Sequence, residues 1–126
     1  MGFWEPHTSS VEFCEPNYLQ THYIAEVHNA WSSLALVLLP IIGLFHCNLT
    51  NEWRNIVMFG VLIVVGIGSV LLHSTLHWAY QSADEVPMLW MNLTFFFALS
   101  NIYSPCNKSN VLQATLLFTM GVVQTY

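Results

Sequence analysis

The stretch that decides the fold is NIVMFGVLIVVGIGSVLLHSTL, residues 55–76. It contains no acidic or basic side chain other than one histidine near its end. A helix needs about 20 predominantly apolar residues to cross the hydrocarbon core of a bilayer. The stretch therefore predicts a transmembrane helix that carries Ser69 and His73 close to one end.

The composition of the whole chain agrees with this prediction. Of its 126 residues, 55% are hydrophobic and only 7% are charged. A soluble domain carries about 25% charged residues because its surface faces water. The chain is too poor in charge for such a surface, so we expect a membrane protein. Its only cations are Arg54 and Lys108, which argues against a nucleic-acid partner.

Three further apolar stretches, at residues 29–46, 86–103 and 111–126, predict additional spans. The predicted fold is therefore an all-α membrane protein with about four transmembrane helices, preceded by an acidic extramembrane segment at residues 1–26. The fourth stretch is still apolar where it stops, so we expect the chain to be incomplete. The two cations fall in loops on one side of the membrane, and the positive-inside rule assigns that side to the cytosol. The N-terminus would then be lumenal.

Polar residues cluster at the end of the second span. Ser69, His73 and His77 are four residues apart and share one face of a helix. Asp84 follows His73 by eleven residues, or about 16 Å along an unbroken helix, so the two meet only if the chain turns between them. The sequence AYQSADE, residues 79–85, predicts such a turn, with a capping box of Ser82 and Glu85 opening the third span.

Two interpretations of this cluster are open. Ionisable groups at membrane depth are costly and are usually retained for chemical work, and a histidine beside an aspartate suits a zinc site. Alternatively, the histidines are polar-tipped residues at a membrane interface, and Ser69 is a helix-packing contact. The acidic segment has a similar ambiguity, because Glu12, Glu15, Asn17 and Glu26 offer oxygen ligands for calcium but also suit a solvated surface.

Three motifs together resemble the alkaline ceramidases, which are seven-span membrane amidases: VEFCEPNY with the nearby YIAEVHN, then VVGIGSVLLHSTL, then SADEVPMLW. The similarity runs from about Gly2 to Leu93. It implies that the chain is the N-terminal part of a seven-helix bundle. It also implies that His73 is a zinc ligand, that Asp84 holds or activates the zinc-bound water, and that Ser69 supports the site. The family's other two zinc ligands lie in its last span, and His77 is not at a ligand position.

The resemblance also implies a calcium site in the acidic segment, and it pairs Cys14 with a lumenal cysteine outside this chain. The calcium ligands would be Glu12, the carbonyl of Phe13, Glu15, Asn17 and Glu26. The family's usual Asp-Trp pair is replaced here by Glu12 and Phe13. The exchange of Trp for Phe should matter little, because only the backbone carbonyl of this residue would bind calcium. Glu12 is one methylene longer than an aspartate, which affects how its carboxylate would coordinate the ion.

The implied activity is the hydrolysis of ceramide to sphingosine and a fatty acid in the membrane of the endoplasmic reticulum or Golgi. Ceramide and the bilayer are the expected partners, with no obligate protein partner. Because one histidine ligand does not make a catalytic zinc site, we expect the 126-residue chain to be inactive by itself. The alternatives are a receptor-like seven-span protein of the progestin and adiponectin receptor type, and a membrane protein whose polar residues only pack helices together.

Overall fold

The computed structural model describes residues 2–46, 53–101, 103 and 110–125. Over these residues the chain forms four α-helices and no strand: α1 Val27–His46, α2 Trp53–Thr75, α3 Trp78–Ser100 and α4 Val111–Thr125. Each helix packs on its neighbour in sequence, so the described part is an open row of helices with α2 between α1 and α3. The prediction of an all-α fold is confirmed. Lys108, Cys47 and Cys106 lie outside the described residues.

Two of these helices, over Val27–Phe45 and Trp53–Thr75, are long and apolar enough to cross a bilayer by length and composition. Many of their large apolar side chains point outward, including Trp31, Leu39 and Phe45 on α1. Numerous exposed apolar side chains on one pair of helices are typical of a surface that faces a membrane or another protein. α1 and α2 therefore pack against each other on one face, and their opposite faces are suited to contact lipid. α4 is apolar but shorter, with 15 residues.

The turn between α2 and α3 is tighter than the sequence predicts. α2 ends at Thr75, Leu76 adopts a left-handed backbone conformation with φ 53°, and His77 is the N-cap of α3. The prediction that Ser82 and Glu85 open this helix is wrong, because both lie inside α3.

The physical reason for the early start of α3 is a cap supplied from a distant part of the chain. The hydroxyl oxygen of Thr8 accepts the backbone N–H of Trp78 at 3.0 Å. The carbonyl of Leu76 accepts the backbone N–H groups of Thr8 and Ser9 at 3.1 and 3.0 Å. A left-handed residue other than glycine is strained, and these contacts with the burial of Leu76 hold it there.

The close approach of α3 to α2 depends on a glycine. A Cβ atom built on Gly68 would lie 2.3 Å from the carbonyl oxygen of Ala83 and 3.0 Å from the Cα of Asp84. Only a residue without a side chain allows the two backbones to come this close. Gly68 therefore sets Asp84 alongside α2, at the level of Ser69.

The segment before α1 is irregular and is fixed to the ends of the helices by backbone hydrogen bonds. Residues 8 and 9 bond to the α2–α3 turn, as described above. At the other end of the segment, the N–H of Ala25 donates to the carbonyl of Ser74 at 3.0 Å, and the N–H of Glu26 donates to the carbonyl of His73 at 2.9 Å. The segment thus crosses the end of the helix row that carries His73.

Candidate functional site

A buried hydrogen-bonding contact lies where α1 begins and α2 ends. Oε2 of Glu26 is 2.6 Å from Nδ1 of His73, and both side chains are buried, with Glu26 at 0% exposure. The backbone bond from Glu26 N–H to His73 holds the same two residues in register. A buried carboxylate is unfavourable unless it is paired and hydrogen-bonded, and His73 is the partner that Glu26 requires.

The contact also fixes the imidazole. When Nδ1–H donates to a carboxylate, Nε2 is left as the atom that can bind a metal or accept a proton. Asn29 supports the arrangement, since its Nδ2 donates to Oε2 of Glu26 at 3.1 Å. The other oxygen of Glu26, Oε1, is buried and has no hydrogen-bond partner among the described residues. Glu26 therefore has one committed oxygen and one oxygen available to a further donor or cation.

Ser69 lies one turn before His73 but contacts α1. Its Oγ is 2.9 Å from Oγ of Ser33, and the Ser33 hydroxyl donates to the backbone carbonyl of Asn29 at 2.8 Å. The remaining proton arrangement has the Ser69 hydroxyl donating to Ser33. Ser69 thus joins α1 to α2 one helical turn from the Glu26–His73 contact, as a helix-packing residue.

Asp84 approaches the same end of α2 from the other side. The antiparallel packing of α3 on α2 places it beside Gly68, within electrostatic range of His73. Its side chain is half-buried. Two carboxylates therefore flank one imidazole: Glu26 is in hydrogen-bond contact from the α1 side, and Asp84 is farther away on the α3 side.

His77 is not part of this arrangement. As the N-cap of α3, it places Nδ1 3.3 Å from the Thr8 hydroxyl. It is thus a residue of the α2–α3 turn. Within residues 2–46, 53–101, 103 and 110–125, no group of three or more histidine, cysteine, aspartate or glutamate side chains is arranged to hold a metal ion.

The residues of the expected calcium site lie in the acidic segment and at its junction with α1, where Asn29 donates hydrogen bonds to both Glu15 and Glu26. Oε1 and Oε2 of Glu15 accept the backbone N–H groups of His28 and Asn29 at 2.8 and 2.9 Å, so Glu15 caps α1. Desolvation alone raises the pKa of Glu15, but these two N–H donors, together with the nearby imidazoles of His28 and His73, hold the pKa below its ordinary value. Glu12 and Asn17 are exposed.

Phe13 has a role that the sequence does not indicate. Its ring packs edge-on against the ring of His73, with 4.7 Å between the centroids. Two polar residues of the site, Asn29 and Ser33, are also missing from the sequence-based set. They follow Glu26 by three and seven residues and so share one face of α1, a periodic signal that was available.

At the opposite end of α2, a largely apolar cavity of about 260 Å³ lies between α2, α3 and α4. Trp90, Phe97 and Phe118 line it, together with the side chain of Arg54. Nη1 of Arg54 donates to the backbone carbonyl of Asn101 at 2.5 Å. The cavity is separated from His73 by nearly the full length of α2.

Comparison with known proteins gives a consistent result. A family model described as Ceramidase matches residues 5–126. An alkaline ceramidase from Arabidopsis thaliana is 38% identical over 121 residues, covering 95% of this chain and 46% of that protein. Alkaline ceramidase 3 from Mus musculus is 32% identical over 128 residues, covering 99% of this chain and 48% of that protein.

A third relative, an alkaline ceramidase from Drosophila melanogaster, is 36% identical over 102 residues, covering 74% of this chain and 35% of that protein. The chain spans about half the length of the first two of these relatives. The family match extends over the acidic segment from residue 5, the polar end of α2 and all of α3. The chain therefore belongs to the ceramidase family.

Proposed function

We propose that this chain contributes the His73 end of a ceramide hydrolase, which cleaves the amide bond of ceramide to release sphingosine and a fatty acid. The observation that carries the proposal is the buried contact between Glu26 and His73 at the end of a membrane-length helix, with Asp84 on the facing helix. The relatives are alkaline ceramidases by name, and ceramide is a lipid whose chains stay in the bilayer.

The donor set fits one ligand of a zinc site. A histidine that ligates a metal usually gives its other ring N–H to a carboxylate, and Glu26 occupies that position on His73. When bound, zinc polarises a carbonyl and lowers the pKa of a bound water to about 7. Glu26 holds the ring, Asp84 accepts a proton from the attacking water, and Ser69 keeps α1 against α2.

A catalytic zinc site uses three protein ligands and an open position. Among the described residues no group of three histidine, cysteine, aspartate or glutamate side chains is arranged to hold a metal ion, so we propose that further ligands come from other parts of the protein. We therefore expect that the 126-residue chain, purified by itself, does not hydrolyse ceramide.

Calcium binding by the acidic segment is a second part of the proposal. The unpartnered Oε1 of Glu26 is one available donor, and Glu12, Glu15, Asn17 and the carbonyl of Phe13 are the others. Glu15 is already engaged with the N-terminus of α1, so a cation would have to share its oxygens with those N–H groups. We further propose an endoplasmic reticulum or Golgi location, which rests on the family resemblance. The proposed lumenal N-terminus is supported by Arg54, a cation at the end of α2 opposite His73, because cations favour the cytosolic side.

The experiment is ceramide hydrolysis by a family-length protein that contains residues 1–126, reconstituted in lipid. We expect Asp84→Asn to lower the rate by about 100-fold or more, because it removes the proton acceptor but keeps the shape. Glu85→Gln, one residue away on α3, is the matched control and should leave the rate unchanged. An Asp84→Asn protein that hydrolyses ceramide at the unaltered rate would contradict the assignment.

The same preparation addresses the receptor-like alternative. A protein that holds zinc and folds correctly but hydrolyses no ceramide would support the hypothesis of a receptor-like protein. A correctly folded protein that holds no zinc would support the hypothesis that the polar residues only pack helices together.

A further inference from the structure

An aromatic patch on the acidic segment has no role in the site described above. It consists of Phe3, Trp4, His22 and Tyr23, which come from the two ends of the segment. The ring centroids of Phe3 and Trp4 are 4.9 Å apart, and those of Phe3 and Tyr23 are 5.7 Å apart. His22 packs against both Phe3 and Tyr23. The patch is thus a defined cluster of rings.

The backbone holds this cluster in place. The N–H of Phe3 donates to the carbonyl of His22 at 3.0 Å, and the indole N–H of Trp4 donates to the carbonyl of Tyr23 at 2.9 Å. The rings nevertheless face outward, with Phe3 56% exposed and Tyr23 65% exposed. Large apolar rings that are held in place with one face open to water are unfavourable. The open faces of this patch therefore suit an apolar or interfacial environment.

We propose that the aromatic patch lies in the interface of the same bilayer that α1 and α2 cross, so that the acidic segment is seated on the membrane surface. The height of the patch supports this. Tyr23 is two residues before Ala25, whose N–H bonds to Ser74 in the last turn of α2. The 23 residues of α2 span about 34 Å, slightly more than the hydrocarbon core, so its last turn lies at the interface.

The residue types in the patch favour contact with uncharged or zwitterionic lipid over electrostatic binding to anionic lipid. Tryptophan and tyrosine are enriched at the membrane–water interface, where one end of the ring is apolar and the other is wet. The segment before α1 contains several glutamates and neither lysine nor arginine, so anionic lipid gives it no electrostatic attraction. The contact should therefore form with zwitterionic lipid and be insensitive to salt.

The test is tryptophan fluorescence of the 126-residue chain in nanodiscs of phosphatidylcholine, with and without bromine near the top of the acyl chains. The emission of Trp4 is obtained by subtracting the spectrum of Trp4→Phe. We expect brominated lipid to lower this emission by about twofold, and aqueous iodide to change it little. Trp31 is the reference, because it is exposed on α1 one turn into the span. Its emission, obtained by subtracting the spectrum of Trp31→Phe, should also be lowered by brominated lipid.

Two results would overturn the proposal. Quenching of Trp4 by iodide without quenching by brominated lipid would place the patch in water. Protection of Trp4 from both quenchers would mean that protein covers it. If Trp4→Phe does not fold, the unaltered chain labelled with fluorotryptophan gives the same answer, because a spin label near the lipid headgroup should broaden the Trp4 signal. None of these readouts depends on hydrolysis or on zinc.

Discussion

At the scale of single residues, the proposed site depends on Glu26. A carboxylate beside the first span needs a partner, and the sequence could indicate that need without identifying the partner. The structure supplies His73, 47 residues away, together with Asn29. The sequence placed Glu26 with calcium and His73 with zinc as two separate sets, because no pattern along the chain connects the start of α1 to the end of α2.

The change Glu26→Ala tests this pairing. It leaves the buried His73 without its hydrogen-bond partner, and breaking a buried pair of this kind costs about 3 to 5 kcal/mol of unfolding free energy. Equilibrium unfolding of the chain in lipid–detergent mixtures measures the loss. Glu12→Ala, at an exposed carboxylate of the same segment, is the control and should change the unfolding free energy by less than about 0.5 kcal/mol. Equal effects of the two changes would contradict a specific pair.

At the scale of elements, the α2–α3 hairpin brings Asp84 to the site. The apolar runs predict the helices well, because their length and composition are local properties. The turn was mispredicted because its cap is not local: Thr8 precedes Trp78 by 70 residues, and its hydroxyl starts α3 before the residues that resemble a capping box.

Thr8→Val should therefore weaken the start of α3. It removes the acceptor for the Trp78 N–H while keeping the side-chain shape, and a lost helix cap costs about 1 kcal/mol. Hydrogen exchange at the amide of Trp78 should accelerate accordingly. Thr8→Ser keeps the hydroxyl and should exchange at nearly the original rate, so acceleration by both changes would argue against a capping role.

The contact between α2 and α3 has its own test at Gly68. Gly68→Ala places a methyl group against the Ala83 carbonyl, and the resulting overpacking should cost about 1 to 3 kcal/mol of unfolding free energy. Gly60 is the matched control on the same helix, since a Cβ there meets nothing within 4 Å. Gly60→Ala should be neutral or stabilising because alanine favours helix. If both substitutions change the unfolding free energy equally, the close contact of α2 with α3 at Gly68 is contradicted.

At the scale of the whole molecule, the described helices form an open row with outward-facing apolar side chains on α1 and α2. The chain spans about half the length of its Arabidopsis and mouse relatives, and the proposed site has one histidine from this part. The sequence predicts a membrane protein because its low fraction of charged residues is too small to cover a surface that faces water. The site was predictable only in part, since contacts such as Phe13 with His73 depend on how the irregular segment crosses the helix ends.

The most direct test of the central claim is the zinc content of a family-length protein that contains residues 1–126, measured by elemental analysis after purification in lipid. Substituting alanine at His73 or at His77 gives a matched pair of variants four residues apart. The account predicts that His73→Ala loses the zinc and that His77→Ala retains it, because only His73 has its Nδ1 held by a buried carboxylate. Full zinc content in His73→Ala, or its loss only in His77→Ala, would contradict the account.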